Sequence, residues 1–177
     1  QEYFQSRFGI RARVGWLPDN FGHTAQLPQI LQSAGIQYFY HMRTGPREQL
    51  YWWEAPDGSR VLAKTGQGYS GVISPGIRHE PRRLPPSVGH QMFIYGVGDH
   101  GGGPTRRDIL AARSYQPSPL FPEIKFDTAD GYFDAVAPKA GGLRIIKGEL
   151  GYIFRGCYSN VATIKRGNRA LENALQA

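Results

Sequence analysis

Apolar positions along this chain switch between two spacings. From Phe8 to Leu17, apolar, aromatic and β-branched residues crowd together as in a strand. Leu27, Ile30, Leu31 and Ala34 then recur at helical spacing and form one stripe to bury. Thr24 can cap that helix, and Pro28 falls in its first turn, where a missing N–H costs little. Gly35 supplies the C-terminal stop. Ile36 to Met42 is continuously apolar and aromatic, a buried strand. A helix crossing between two strands in so short a stretch predicts a βαβ unit and therefore a parallel sheet.

The pattern continues with a hairpin. Trp52–Trp53–Glu54 and Arg60–Val61–Leu62 flank Asp57–Gly58, a turn pair suited to two antiparallel arms. At least one of the two tryptophans reads as core. Residues 69–86 are rich in Gly, Pro and Arg without a period, a long excursion that can pass over a site. Gln91 to Val97 reads as another buried strand, followed by a glycine-rich loop and a helix opening at Thr105. Glu123 to Asp127 reads as a short strand, and Thr128 caps a helix reaching Val136. Leu143 to Phe154 reads as one more strand. Ser159 opens a final helix with Val161, Ile164, Leu171 and Leu175 on one face.

Composition narrows the class. The 177 residues are 40% hydrophobic and 12% aromatic, enough for a packed core and unlike a disordered chain. No apolar run approaches a membrane span, and no signal segment opens the chain. The chain does not begin with Met, and its start reads as mid-domain sequence, so a fragment is expected. The net charge of +7 allows polyanion binding, but Arg11, Arg13, Arg82, Arg83, Arg106, Arg107, Lys165 and Arg166 are dispersed. A solvated basic surface is favoured over a nucleic-acid partner. One cysteine, Cys157, rules out an internal disulfide and fits a reducing, cytoplasmic compartment.

Two loops carry candidate chemistry. Asp19 lies in the turn after the first strand, where α/β proteins gather ligands and catalytic groups. Phe21 adds a flat apolar face beside that carboxylate, a combination suited to a sugar ring. The plainer role for Asp19 is a turn former that caps nearby N–H groups. His41 and Arg43 stand at the end of the second strand, and Arg43 reads equally well as a surface residue. The loop Gly98–Asp99–His100–Gly101–Gly102–Gly103–Pro104–Thr105 can cradle a phosphate, although it lacks the Lys-Ser/Thr ending of a P-loop. Alternatively, it is a second acidic site with room for a ligand.

Pro18–Asp19–Asn20–Phe21–Gly22–His23–Thr24–Ala25–Gln26–Leu27–Pro28–Gln29–Ile30–Leu31 resembles the nucleophile segment of family 38 glycoside hydrolases, the zinc-dependent retaining α-mannosidases. The Trp-containing Asp-Gly-Ser hairpin, the glycine-rich loop, Gly156–Cys157–Tyr158–Ser159 and Lys165–Glu172 follow in the family's order. The resemblance implies an α/β catalytic domain, a partial parallel sheet or barrel of βα units, over residues 1–157. It implies the first helix of a helical-bundle middle domain over 158–177. Asp19 is then nucleophile and zinc ligand, and Phe21, Arg43 and Tyr158 contact the sugar. Asp99 is the acid/base, with His100 or Glu149 as alternatives. His100 stands where many members have Gly.

Zinc in this family takes a His-x-Asp pair, the nucleophile and a later His. No His-x-Asp occurs in the chain, and Phe154 stands at the later His position. His100 and Cys157 are chemically suitable substitutes. Cys157 also reads as an ordinary small buried residue. The expected partner is an α-mannoside-containing oligosaccharide, with no nucleic acid and no membrane. The expected activity is retaining hydrolysis of terminal α-mannosides, lost in the isolated fragment. A non-catalytic carbohydrate- or polyanion-binding α/β module is the alternative.

Overall fold

The computed structural model describes residues 1–66, 68, 70–98, 102–116, 118–151, 156 and 161–176, with backbone alone for 80–83. A short helix, α1 (Glu2–Phe8), precedes the first strand, β1 (Val14–Leu17). The strand expected from Phe8 is therefore only its last four residues. Phe4 and Phe8 pack ring to ring one helical turn apart, and Gly9 closes α1 with φ near +70°.

The βαβ unit is present. Helix α2 (Leu27–Ser33) crosses from β1 to β2 (Tyr38–His41), and the two strands pair in parallel with Val14 opposite Tyr38. Thr24 does not cap α2 through its side chain. Gln26 holds the cap position, and the Thr24 carbonyl accepts the Leu27 N–H at 3.0 Å. Gly35 ends the helix as expected. At φ +76° it lets Ile36 N–H reach Leu31 O at 2.8 Å and its own N–H reach Gln32 O at 2.9 Å. Gly15 has a different reason. A Cβ there would lie 3.1 Å from Phe39 and 3.3 Å from Leu31, so the glycine lets α2 sit close on the sheet.

The hairpin joins β3 (Leu50–Glu54) to β4 (Arg60–Thr65). Gly58 N–H donates to Ala55 O, and Asp57 accepts from the Ser59 backbone N–H. β4 pairs in parallel with β2, and β3 pairs in parallel with β5 (Ile145–Lys147). The result is a five-stranded mixed sheet in the order β1-β2-β4-β3-β5. Of the strand expected over 143–154, residues 145–147 form β5; residues 152–155 lie outside the described residues.

Both faces of the sheet are covered. One face packs Phe39, Tyr51, Trp53, Val61 and Ala63 against Leu31 of α2 and Leu150. The other packs Tyr38, Leu50 and Leu62 against Tyr132, Phe133 and Val136 of α4 (Ala129–Val136). Tyr38 stacks on Phe133 at 4.7 Å between ring centres. As expected, Trp53 is core, with no exposed surface, while Trp52 is half-buried.

Two expected strands are absent. Residues 91–97 run extended but join no strand ladder: Gly96 bridges to Gly71 and Val97 N–H donates to Gly103 O at 3.0 Å, and residues 123–127 join no ladder. Their apolar side chains pack instead with Ile73, Ile77 and Ala112 of α3 (Arg106–Tyr115). Apolar content alone cannot distinguish a strand from extended packing chain, because a strand also needs a neighbour with free backbone groups. The excursion over 70–86 includes a 3₁₀ stretch at Pro75–Arg83 that drives Ile77 inward. Thr105 and Thr128 cap α3 and α4, accepting from Asp108 and Gly131 N–H. α5 (Ala162–Gln176) buries no residue, and Val161, Ile164, Leu171 and Leu175 are all exposed. Among the described residues no helix is long and apolar enough to cross a membrane.

Candidate active site

The parallel pairing of β1 and β2 aligns Leu17 with His41, so the two chains leave the sheet side by side. Two residues beyond each strand end stand Asp19 and Arg43. The Arg43 Nε and Nη2 both donate to Asp19 Oδ1. The carboxylate side chain is 56% exposed and the guanidinium 28%. A fork on one oxygen orients the carboxylate. The Arg43 guanidinium also lies 4.9 Å from the centre of the Phe21 ring. Acid, arginine and aromatic ring thus share one lip at the carboxyl ends of two parallel strands.

Beneath this lip lies a histidine pair. His23, four residues after Asp19, is held by reciprocal backbone hydrogen bonds with Leu150, each 2.9 Å. Its ring packs 5.7 Å from His41, 5.1 Å from Phe39 and 6.1 Å from Trp53. His41 Nε2 lies 2.6 Å from the Tyr51 hydroxyl. Burial lowers the His23 pKa to about 4. Burial, with the neighbouring His23 adding to it, lowers that of His41 to about 3. Both rings are neutral near pH 7, and His41 is a core residue beneath the lip. The sequence placed His41 at the strand end, but His23 passed as part of a motif. Its signal was an imidazole within an otherwise apolar contact pattern.

The other nominated residues divide by location. Glu149 is exposed and adjoins Leu150, the partner of His23. Asp99, His100, Cys157 and Tyr158 lie outside the described residues. The expectation that a strand of the same sheet delivers Asp99 is not met, since 91–97 is not a strand. Zinc does not fit the described residues alone. Among them no three His, Cys, Asp or Glu side chains converge, and Asp19 Oδ1 is engaged by the Arg43 guanidinium.

Residues 1–76 match the family profile described as Glycosyl hydrolases family 38 N-terminal domain. Alpha-mannosidase 2C1 of Mus musculus is 30% identical over 187 residues, which cover 99% of this chain and 18% of that protein. Alpha-mannosidase G of Dictyostelium discoideum is 32% identical over 189 residues, covering 100% and 17%. The chain is related to the family 38 glycoside hydrolases. The family expected from the sequence is the one matched.

A crystal structure of an α-mannosidase from Enterococcus faecalis V583 superposes on this chain with a TM-score of 0.68 at 25% identity, over 82% of this chain and 19% of that one. A second Enterococcus faecalis structure, titled as a family 38 glycosyl hydrolase, gives a TM-score of 0.54 at 21% identity and supports the fold alone. The chain spans less than a fifth of the length of the curated relatives it matches.

Proposed function

We propose that this chain forms part of the catalytic domain of a retaining α-mannosidase that hydrolyses terminal α-mannosides through a covalent glycosyl-enzyme. The carrying observation is the Asp19 carboxylate, held by Arg43 beside Phe21 at the ends of two parallel strands. Asp19 Oδ2 would attack the anomeric carbon as the glycosidic bond breaks. Arg43 keeps the attacking carboxylate in one orientation, and Phe21 presents a flat face to the sugar. The leaving oxygen needs a proton from a second carboxyl about 5–5.5 Å from the first. Asp99 is proposed for that role, with His100 and Glu149 as alternatives, and Tyr158 as a further sugar contact. Zinc enters as an ion of the complete protein, to which this chain brings Asp19; His100 and Cys157 are proposed as further ligands. Helix α5, buried on no side, is proposed to begin a helical middle domain.

Arg13, Arg60, Arg144 and Lys147 each pair with carboxylates, which removes them from any bare basic patch. That favours the sugar reading over a polyanion site. The test is hydrolysis of nitrophenyl α-mannoside by the complete protein that carries this chain. Asp19→Asn is expected to lower turnover by about 10⁴-fold or more. Turnover equal to the parent's would remove Asp19 from the reaction. The isolated 177 residues are expected to be inactive.

A further inference from the structure

A second cavity lies apart from the Asp19–Arg43 lip. Its volume is about 510 Å³, within the range of small-molecule sites. Trp16, Phe93, Tyr95, Phe126 and Tyr132 line it, and none of Asp19, Phe21 or Arg43 does. Trp16 is 40% exposed although its ring stacks on Tyr40, with ring centres 4.0 Å apart. One indole face is thus covered by Tyr40, which leaves the opposite face as a platform.

Two polar groups at this cavity are buried and unsatisfied. Tyr132 is only 7% exposed, and its hydroxyl has no hydrogen-bond partner among the described residues. Gln91 donates its amide N–H to Gln49 at 2.9 Å, while its own Oε1 is buried without a partner among the described residues. An orphaned buried polar atom is costly, and native structures satisfy nearly all of them. Here the unmet groups are a phenol, which can donate or accept, and an amide oxygen, which accepts. Their ligand must be neutral, carry hydroxyls that both donate and accept, and present an apolar face to an indole. Exposed carboxylates at Glu123 and Asp127, with Lys125 between them, provide further hydroxyl partners at the rim.

We propose that this cavity binds a neutral pyranose, its C–H face on Trp16 and its hydroxyls on Tyr132 and Gln91. The site is separate from the proposed hydrolytic lip and does not depend on it. Burial pushes the Tyr132 phenol up, so it remains a neutral hydroxyl through the working pH range.

The test is tryptophan emission of the chain titrated with methyl α-mannopyranoside and methyl α-glucopyranoside. A saturable change is expected, absent in Trp16→Ala. Trp16 is partly exposed, so that variant is checked for an unchanged melting midpoint. Tyr132→Phe keeps the packed ring and removes one hydrogen bond, which should weaken binding about threefold to tenfold. Asp19→Asn should bind with the parent's affinity. Three results overturn the proposal: no saturable response to either pyranoside, a response abolished by Asp19→Asn, or occupation by an apolar dye that neither pyranoside displaces. The first and third leave the Asp19 reading untouched, and loss of hydrolysis with intact binding does the reverse.

Discussion

Residues 14–65 and residues 66–128 are built on different terms. The first stretch places four of the five strands and one helix in a continuous backbone ladder. Its side chains are locked on both faces, as the wholly buried β2 shows. Among its described residues, the second stretch holds one α-helix, a 3₁₀ segment and a single isolated bridge. It is fastened by side chains: Leu84 and Val88, buried against Tyr38, Leu50 and Leu62 of the sheet; Ile73, Ile77 and Ala112; and the buried Asp108, which accepts from Ile73 N–H at 3.2 Å and from the Thr105 hydroxyl. The Asp19–Arg43 pair rises from the rigid stretch, and the aromatic cavity is walled largely by the irregular one. The contrast teaches that precision at the lip comes from strand register, whereas room at the cavity comes from the absence of one.

That contrast can be broken by substitution. Trp53→Ala empties the centre of the laddered stretch and should cost about 3–5 kcal/mol in urea unfolding. A loss below 1 kcal/mol would mean the ladder is not the stable half. Arg43→Met, at the lip above it, should separate stability from chemistry. Its exposed ion pair is worth about 0–1 kcal/mol, so the melting midpoint barely moves. Turnover by the complete protein should fall about 10²–10³-fold, as when one oriented electrostatic contact is removed.

Acid tests the same stretch. His23 and His41 sit near 4 and 3, below the ordinary 6.5, because burial disfavours their charged forms. Between pH 6.5 and about 4 the unfolded chain therefore binds protons that the folded chain refuses. Stability is complete above pH 6.5 and declines as pH falls, with a slope of up to about 1.4 kcal/mol per unit for each ring. His23→Phe should flatten the pH dependence of the melting midpoint in that window; an unchanged slope would place the linkage elsewhere. The smallest effect belongs to the irregular stretch. Thr105→Ala removes the α3 cap and a partner of Asp108, costing about 1 kcal/mol. Amide exchange should accelerate at residues 71–77 and 105–115 and stay slow in β2 and β4. Uniform acceleration would show that the two stretches unfold together.

The sequence was readable where local chemistry and tertiary structure agree. Pro28 and Gly35 bracket α2, Asp57–Gly58 turns the hairpin, and Thr105 and Thr128 start their helices, because each residue acts within a few positions of itself. Residues 91–97 and 123–127 misled because strand identity depends on a distant neighbour. Helix α1 was missed because Phe8 belongs to a local aromatic pair rather than to the strand. At the lip, Asp19, Phe21 and Arg43 were nominated separately, and β1–β2 register brings them together. The Trp16 cavity had no sequence signal, since its walls come from β1, Ile73 and Ile77, residues 89–95, residues 122–128 and α4.

Strand β1 stands at one margin of the sheet, with β2 on its only paired side among the described residues. Its opposite row of amides and carbonyls is a template for one more strand, and it is only four residues long, with a tryptophan at its third position. Handled at high concentration, the isolated chain is therefore predisposed to self-association along this margin.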